Sequence, residues 1–233
     1  MDKIITQVLP DHTVNLIIEQ GVDLSNIAAA LKQKDPAGSL FSVVQTRRSP
    51  RAVKRLAHKN NSENILVSYP LQIDEDRFSL EMLLDQSCEF FLDHMTGCHI
   101  QGMALVEAAR QSFLAVTQEF YLRDTTEPYY FVIKSINSRF LSFAFPLRTA
   151  IDYRVLSYRP KEGRHAFDIA IQILQADEIC AEFDISFTAF LAAAIAEREA
   201  EKAGQAVIRA LSAGQREHAA AHRAPTPAPA AAE

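Results

Sequence analysis

At 233 residues, 48% hydrophobic and 23% charged, the chain has the make-up of a globular protein rather than a disordered or fibrous one. Its net charge of -5 argues against a nucleic-acid binder, whose affinity rests on a positive surface. No charged segment leads into a hydrophobic core at the amino end, and no apolar run approaches the roughly 20 residues that span a bilayer, so a cytoplasmic protein without membrane attachment is expected.

The first section, residues 1–45, reads as an extension with helical character over Val14 to Gln33 and a turn at Asp35 to Gly38. A basic segment follows, Arg47 to Lys59, with six Lys or Arg and no acid. Such a run is usually a solvated loop, but it could also dock a phosphate or an acidic carrier protein. Ile65 to Leu71 and Arg77 to Leu84 read as a strand pair. The stretch CEFFLDHMTGCHIQGMALVEAARQSF, from Cys88 to Phe113, opens as a loop holding His94, Cys98 and His99 and becomes an apolar helix from Gly102 to Tyr121.

Period-two patterning then takes over. Tyr129 to Asn137, Ile151 to Val155, and a hairpin running Phe167 to Ile173, a turn at Ala176 to Glu178, and Ile179 to Phe187 read as strands with one buried face. Strand, strand, helix and then several strands specify an α+β fold, an antiparallel sheet wrapped around one long helix, over residues 46–190. A carboxy-terminal helix is expected over 191–214, bent near Gly204, followed by a disordered Ala/Pro-rich tail over 215–233. A sheet of five or six strands leaves one edge unpaired, so a homodimer is expected.

On the central helix, Val106, Ala109, Phe113, Val116 and Phe120 form the core stripe at about 100 degrees per residue. Glu107 and Arg110 share one shoulder of it, three apart and within reach of each other. In solvent they are an ion pair contributing under about 1 kcal/mol. Enclosed by a sheet they would be expensive unless paired. A histidine near the helix start, with a glycine admitting close backbone approach, could act on a carbonyl held by a free helix N–H. Its bland alternative is a loop histidine without a role. His94, Cys98 and His99 lack the spacing of a metal site, no GxSxG elbow occurs, and the seven glycines form no phosphate loop. The odd number of cysteines, without a CxxC pair, argues against a disulfide framework. No cofactor is expected.

Two resemblances attach to these motifs. CEFFLDH followed by GMALVEAARQ resembles the 3-hydroxyacyl carrier-protein dehydratases of the hotdog fold. EAARQ, the segment LAHKNNSENILVSYPLQ (His58, Lys59, Asn64) and SINSRFLSFAFPL resemble more specifically the A-factor biosynthesis (AfsA-type) hotdog family. The resemblance implies a hotdog fold handling acyl thioesters. In the A-factor family a 3-oxoacyl group passes from acyl carrier protein to dihydroxyacetone phosphate, toward a γ-butyrolactone signal. It implies catalytic roles for His94, Glu107 and Arg110, and substrate binding by Gly102, Gln111 and His99. The implied partners are an acyl carrier protein or coenzyme A thioester and a small phosphorylated acceptor. Known synthases carry two hotdog units per chain and one is found here, which again points to a homodimer. A dehydratase or thioesterase of the same fold, or a non-catalytic acyl-binding module, are the alternatives.

Overall fold

The computed structural model describes residues 5–8, 14–18, 29, 32–33, 41–45, 49–85, 87–92 and 98–221. In the amino-terminal section the described backbone forms strands β1 (Ile5–Val8), β2 (Val14–Ile18) and β3 (Phe41–Gln45), with β2 antiparallel to β1 and parallel to β3. This corrects the helical reading of Val14 onward. The run VNLII is rich in β-branched residues, which favour extended backbone. Helical backbone is described there only at residues 29, 32 and 33.

A six-stranded antiparallel sheet forms the body of the protein. It comprises β4 (Leu71–Gln72), β5 (Arg77–Met82), β6 (Tyr129–Phe140), β7 (Thr149–Lys161), β8 (Arg164–Gln175) and β9 (Glu178–Leu191), in the order β4-β5-β7-β8-β9-β6. The hairpin β8–β9 turns at Ala176 and Asp177, both at positive φ (46° and 65°), the conformation a tight two-residue turn needs to match strand twist. Alternate residues Phe167, Ile169, Ile171 and Ile173 of β8 and Phe183, Ile185 and Phe187 of β9 are buried on the inner face.

Four helices complete the body: α1 (Lys54–Ala57), α2 (Glu89–Leu92), α3 (Gly102–Val116) and α4 (Ala192–Ala221). The sheet holds α3 against its inner face, with the Phe113 ring stacked on Phe187 at 4.3 Å and Phe187 on Phe167 at 5.0 Å. Helix α3 is buried on most of its circumference, including Ala104, Leu105, Ala108, Ala109, Leu114 and Val116. The apolar stripe is therefore wider than one core-facing side, as expected for an enclosed helix. A π-helical turn, Thr117–Tyr121, continues it. Helix α4 is continuous through Gly204 and runs on to Ala221, past the expected end at Gly214. Alanine, the best helix former, dominates this stretch. The rest of the expected tail, 222–233, lies outside the described residues.

Among the described residues strand β6 is paired on one side alone, to β9. Its twelve residues carry a bulge between Ile133 and Ser135 and leave Tyr130 and Ile133 exposed.

Candidate active site

The helix shoulder is shut away from water. Glu107 is 9% exposed and Gln111 fully buried. Arg110 donates to Glu107 twice, Nε to Oε2 at 2.7 Å and Nη2 to Oε1 at 2.8 Å. Lys59 reaches the same Oε1 at 2.9 Å, and Gln111 Nε2 donates to it at 3.0 Å. Three side chains from two segments therefore converge on one carboxylate through four donor atoms. Burial pushes the Glu107 carboxyl up, but the hydrogen bonds from Arg110, Gln111 and Lys59 outweigh it and hold the group at about 2. Near neutral pH Glu107 is an anion, and its charge fixes the cations around it.

Gln111 carries the construction into the neighbouring loop. Its Nε2 also donates to the carbonyl of Asn64 at 2.9 Å, and its Oε1 accepts from the backbone N–H of Leu66 at 2.8 Å. The Asn64 side chain accepts from the N–H of Glu89 at 2.9 Å, which pins the start of α2. Lys59 additionally lies 5.2 Å above the Phe90 ring, a cation–π contact. Two cations of the basic run are thus used internally, since Arg51 also donates to the carbonyl of Ile65 and pairs with Asp85 at 3.6 Å.

Beside this cluster lies a cavity of about 210 Å³. Helix α3 contributes Arg110, Phe113 and Leu114, and the edge strand β6 contributes Phe131 and Ile133. His58 completes it. Arg110 spends Nε and Nη2 on Glu107, so Nη1 is the group left to serve a ligand. Arg110 and Lys59 against Glu107 leave the site one positive charge in excess, beside a cavity walled by both polar and apolar side chains.

The residues singled out from the sequence divide into two places. Glu107, Arg110 and Gln111 are in direct contact. Gly102 and His99 stand at the start of α3, about 12 Å up the axis from Arg110 at 1.5 Å per residue. There a Cβ on Gly102 would meet the Phe140 ring at 3.1 Å, and His99 packs against Phe143 with ring centroids 4.9 Å apart. Gln101 donates to the carbonyl of Phe90 and Ile100 to that of Ala144 at 2.7 Å, which anchors this end between α2 and the chain after β6. His94 lies outside the described residues. None of Cys88, Cys98 and Cys180 is in a disulfide, and among the described residues no three metal-binding side chains come together. Among them, too, no helix is long and apolar enough to cross a membrane.

Residues 43–191 match the A-factor biosynthesis hotdog domain. The chain belongs to the A-factor biosynthesis hotdog family. The sheet around α3 is accordingly a hotdog fold. Among solved structures this hotdog chain is similar to a mutant thioesterase from Pseudomonas aeruginosa (17% identity, TM-score 0.41, covering 74% of this chain and 96% of that one). It is also similar to a thioesterase from Haemophilus influenzae (12% identity, TM-score 0.39, covering 59% and 87%). A third is the E. coli PaaI protein from the phenylacetic acid degradation operon (17% identity, TM-score 0.36, covering 52% and 80%). No curated protein matches the chain.

Proposed function

We propose that this hotdog protein is an acyl-thioester enzyme. It transfers a 3-oxoacyl group from an acyl carrier protein or coenzyme A thioester to a small phosphorylated acceptor of the dihydroxyacetone phosphate type. The observation that carries the reading is the placement of Arg110. A guanidinium locked by a buried carboxylate faces a small cavity with one donor group to spare, which suits an anionic group attached to an ester-forming hydroxyl. Taking about 30 Å³ per water, the 210 Å³ cavity holds about seven water volumes. That is space for a short acceptor and not for a long acyl chain.

In this scheme the thioester enters past the start of α3, where Gly102 stands, and brings its carbonyl carbon to the acceptor held on Arg110. His99 stands at that end, and His94 is proposed as a base that removes an acidic proton of the substrate. Glu107 positions Arg110, and Gln111 positions the loop that carries Lys59. No cofactor enters the reaction.

The Arg110 cavity is lined on one side by β6, whose other edge has no partner strand among the described residues, so a second copy of the chain is proposed to complete the site. Pairing two β6 strands would satisfy the open edge and cover Tyr130 and Ile133.

The test is to incubate purified protein with a 3-oxoacyl thioester, with and without dihydroxyacetone phosphate, and to follow free thiol. Thiol release that depends on the acceptor supports transfer. Release without it identifies a hydrolase, and no release with tight acyl binding identifies a binding module.

A further inference from the structure

We infer that His58 is the base that takes the proton from the acceptor's hydroxyl; the inference rests on the transfer reading above and adds a residue to it. His58 lines the cavity together with Arg110, so an acceptor whose anionic group sits on Arg110 has its hydroxyl within the same small space. The backbone is arranged to put the imidazole there. His58 ends α1 in the left-handed conformation, φ 51° and ψ 48°, with its N–H bonded to the carbonyl of Lys54. A non-glycine residue in this region is uncommon and strained, a condition that concentrates at functional sites. The turn has a plain geometric result. Lys59 goes to the Glu107 carboxylate while His58, its neighbour, goes to the cavity.

The ring is also oriented. Gln118, on the π-helical turn, hydrogen-bonds the His58 side chain. The Gln118 Nε2 is already donated to the carbonyls of Leu56 at 3.0 Å and Leu114 at 3.2 Å. Its Oε1 is therefore the atom turned to the His58 ring, which favours a ring N–H on that side. Phe131 holds the ring from the side, edge-on at 5.4 Å. A base, its orienting partner and an anchoring cation around one cavity are the parts a hydroxyl nucleophile needs. Burial, aided by the Arg110 charge and opposed by the Gln118 bond, keeps the imidazole below its ordinary value of 6.5. At neutral pH it is unprotonated and ready to accept.

The step balances without any further reagent. The free imidazole nitrogen takes the hydroxyl proton as the acceptor oxygen forms its bond to the thioester carbonyl carbon. Collapse of the tetrahedral adduct breaks the C–S bond, and the imidazolium returns its proton to the departing sulfur. The products are the acyl ester and the free thiol.

The experiment compares wild type, His58→Asn and Gln118→Leu for acceptor-dependent thiol release across pH. Asparagine tolerates the left-handed backbone but cannot act as the base. His58→Asn should lower kcat by about a hundredfold or more and abolish the ascending limb that wild-type kcat/KM shows below pH 6.5. Gln118→Leu should move that limb to lower pH, because the bond it removes favours the protonated ring; a merely structural role would not shift it. A folded His58→Asn protein that keeps wild-type kcat and the same limb overturns the assignment while the transfer reading stands. Wild-type protein releasing no thiol with the acceptor overturns the transfer reading and the base role with it. If His58→Asn does not fold, a wild-type profile lacking the limb overturns the assignment, and a limb displaced by Gln118→Leu supports it.

Discussion

Glu107 and Arg110, three apart on α3, are joined by two parallel hydrogen bonds of 2.7 and 2.8 Å inside the helix–sheet body. The pair is not isolated, because Lys59 and Gln111 share the same carboxylate. Removing the carboxylate would leave Arg110 and Lys59, at 27% and 21% side-chain exposure, without a counter-charge. Breaking a buried pair typically costs about 3–5 kcal/mol, and partial exposure of the cations places this one at or below the lower end. Glu107→Ala is expected to lower stability by about 2–3 kcal/mol, read as a shift in the urea midpoint at constant slope. An unchanged midpoint would show that water already solvates the pair.

The same carboxylate sets an acid limit. Its folded value of about 2 lies below its ordinary 4.5, so the unfolded chain binds the proton more readily. The stabilisation is complete above about pH 4.5 and fades as pH falls toward 2, on the order of 3 kcal/mol in all. Urea titrations at pH 6, 4 and 3 should show stability falling across that window. In Glu107→Gln, which cannot titrate, the fall should be shallower by this contribution; equal slopes in the two proteins would contradict it.

Much of the fold could be read from the sequence because its periodicities are local. The alternation from Phe167 to Phe187 marks β8, β9 and the turn at Ala176 and Asp177, and the apolar run from Gly102 to Tyr121 marks α3 and the π-turn. Glu107 and Arg110 were legible as a pair because three residues on a helix is one turn. Whether water reached them was not, since that depends on Lys59 and on Gln111 holding Asn64 and Leu66, more than 40 residues away. The cavity was invisible for the same reason. His58, Arg110 and Phe131 come from three separate segments, and His58 owes its direction to a left-handed residue after a helix of four residues, too short to show a period.

Gln111 gives a prediction separable from catalysis. Its side chain satisfies the buried N–H of Leu66 and the carbonyl of Asn64 while holding Glu107. Gln111→Ala strands these groups, and each unsatisfied buried group costs about 1–3 kcal/mol. The expected result is a loss of about 2–4 kcal/mol in stability, with faster hydrogen exchange at the Leu66 amide than elsewhere in the sheet. Uniform protection with that amide unchanged would mean that the loop keeps its place without Gln111.

Arg110→Lys separates charge from geometry. Lysine keeps the positive charge but cannot donate in a fork to Glu107 while offering a further N–H to the cavity. In steady-state transfer assays the acceptor KM should rise by about tenfold, equivalent to one lost charge-assisted hydrogen bond of about 1.5 kcal/mol, with the thioester KM little changed. A rise confined to the thioester would move the anionic acceptor elsewhere.

The edge strand β6 tests the proposed assembly. Its open side presents the outward-facing N–H and C=O groups of alternate residues together with exposed Tyr130 and Ile133, a surface that soluble proteins normally cover. Light scattering on micromolar wild-type protein should return twice the chain mass of 26.0 kDa. Ile133→Lys places a second cation beside Lys134 on the open edge. Charge on an edge opposes strand addition, so this variant should return the single-chain mass while its circular dichroism stays that of the wild type. A wild type already at 26.0 kDa would leave the cavity open to solvent on its β6 side and rule out the two-copy site.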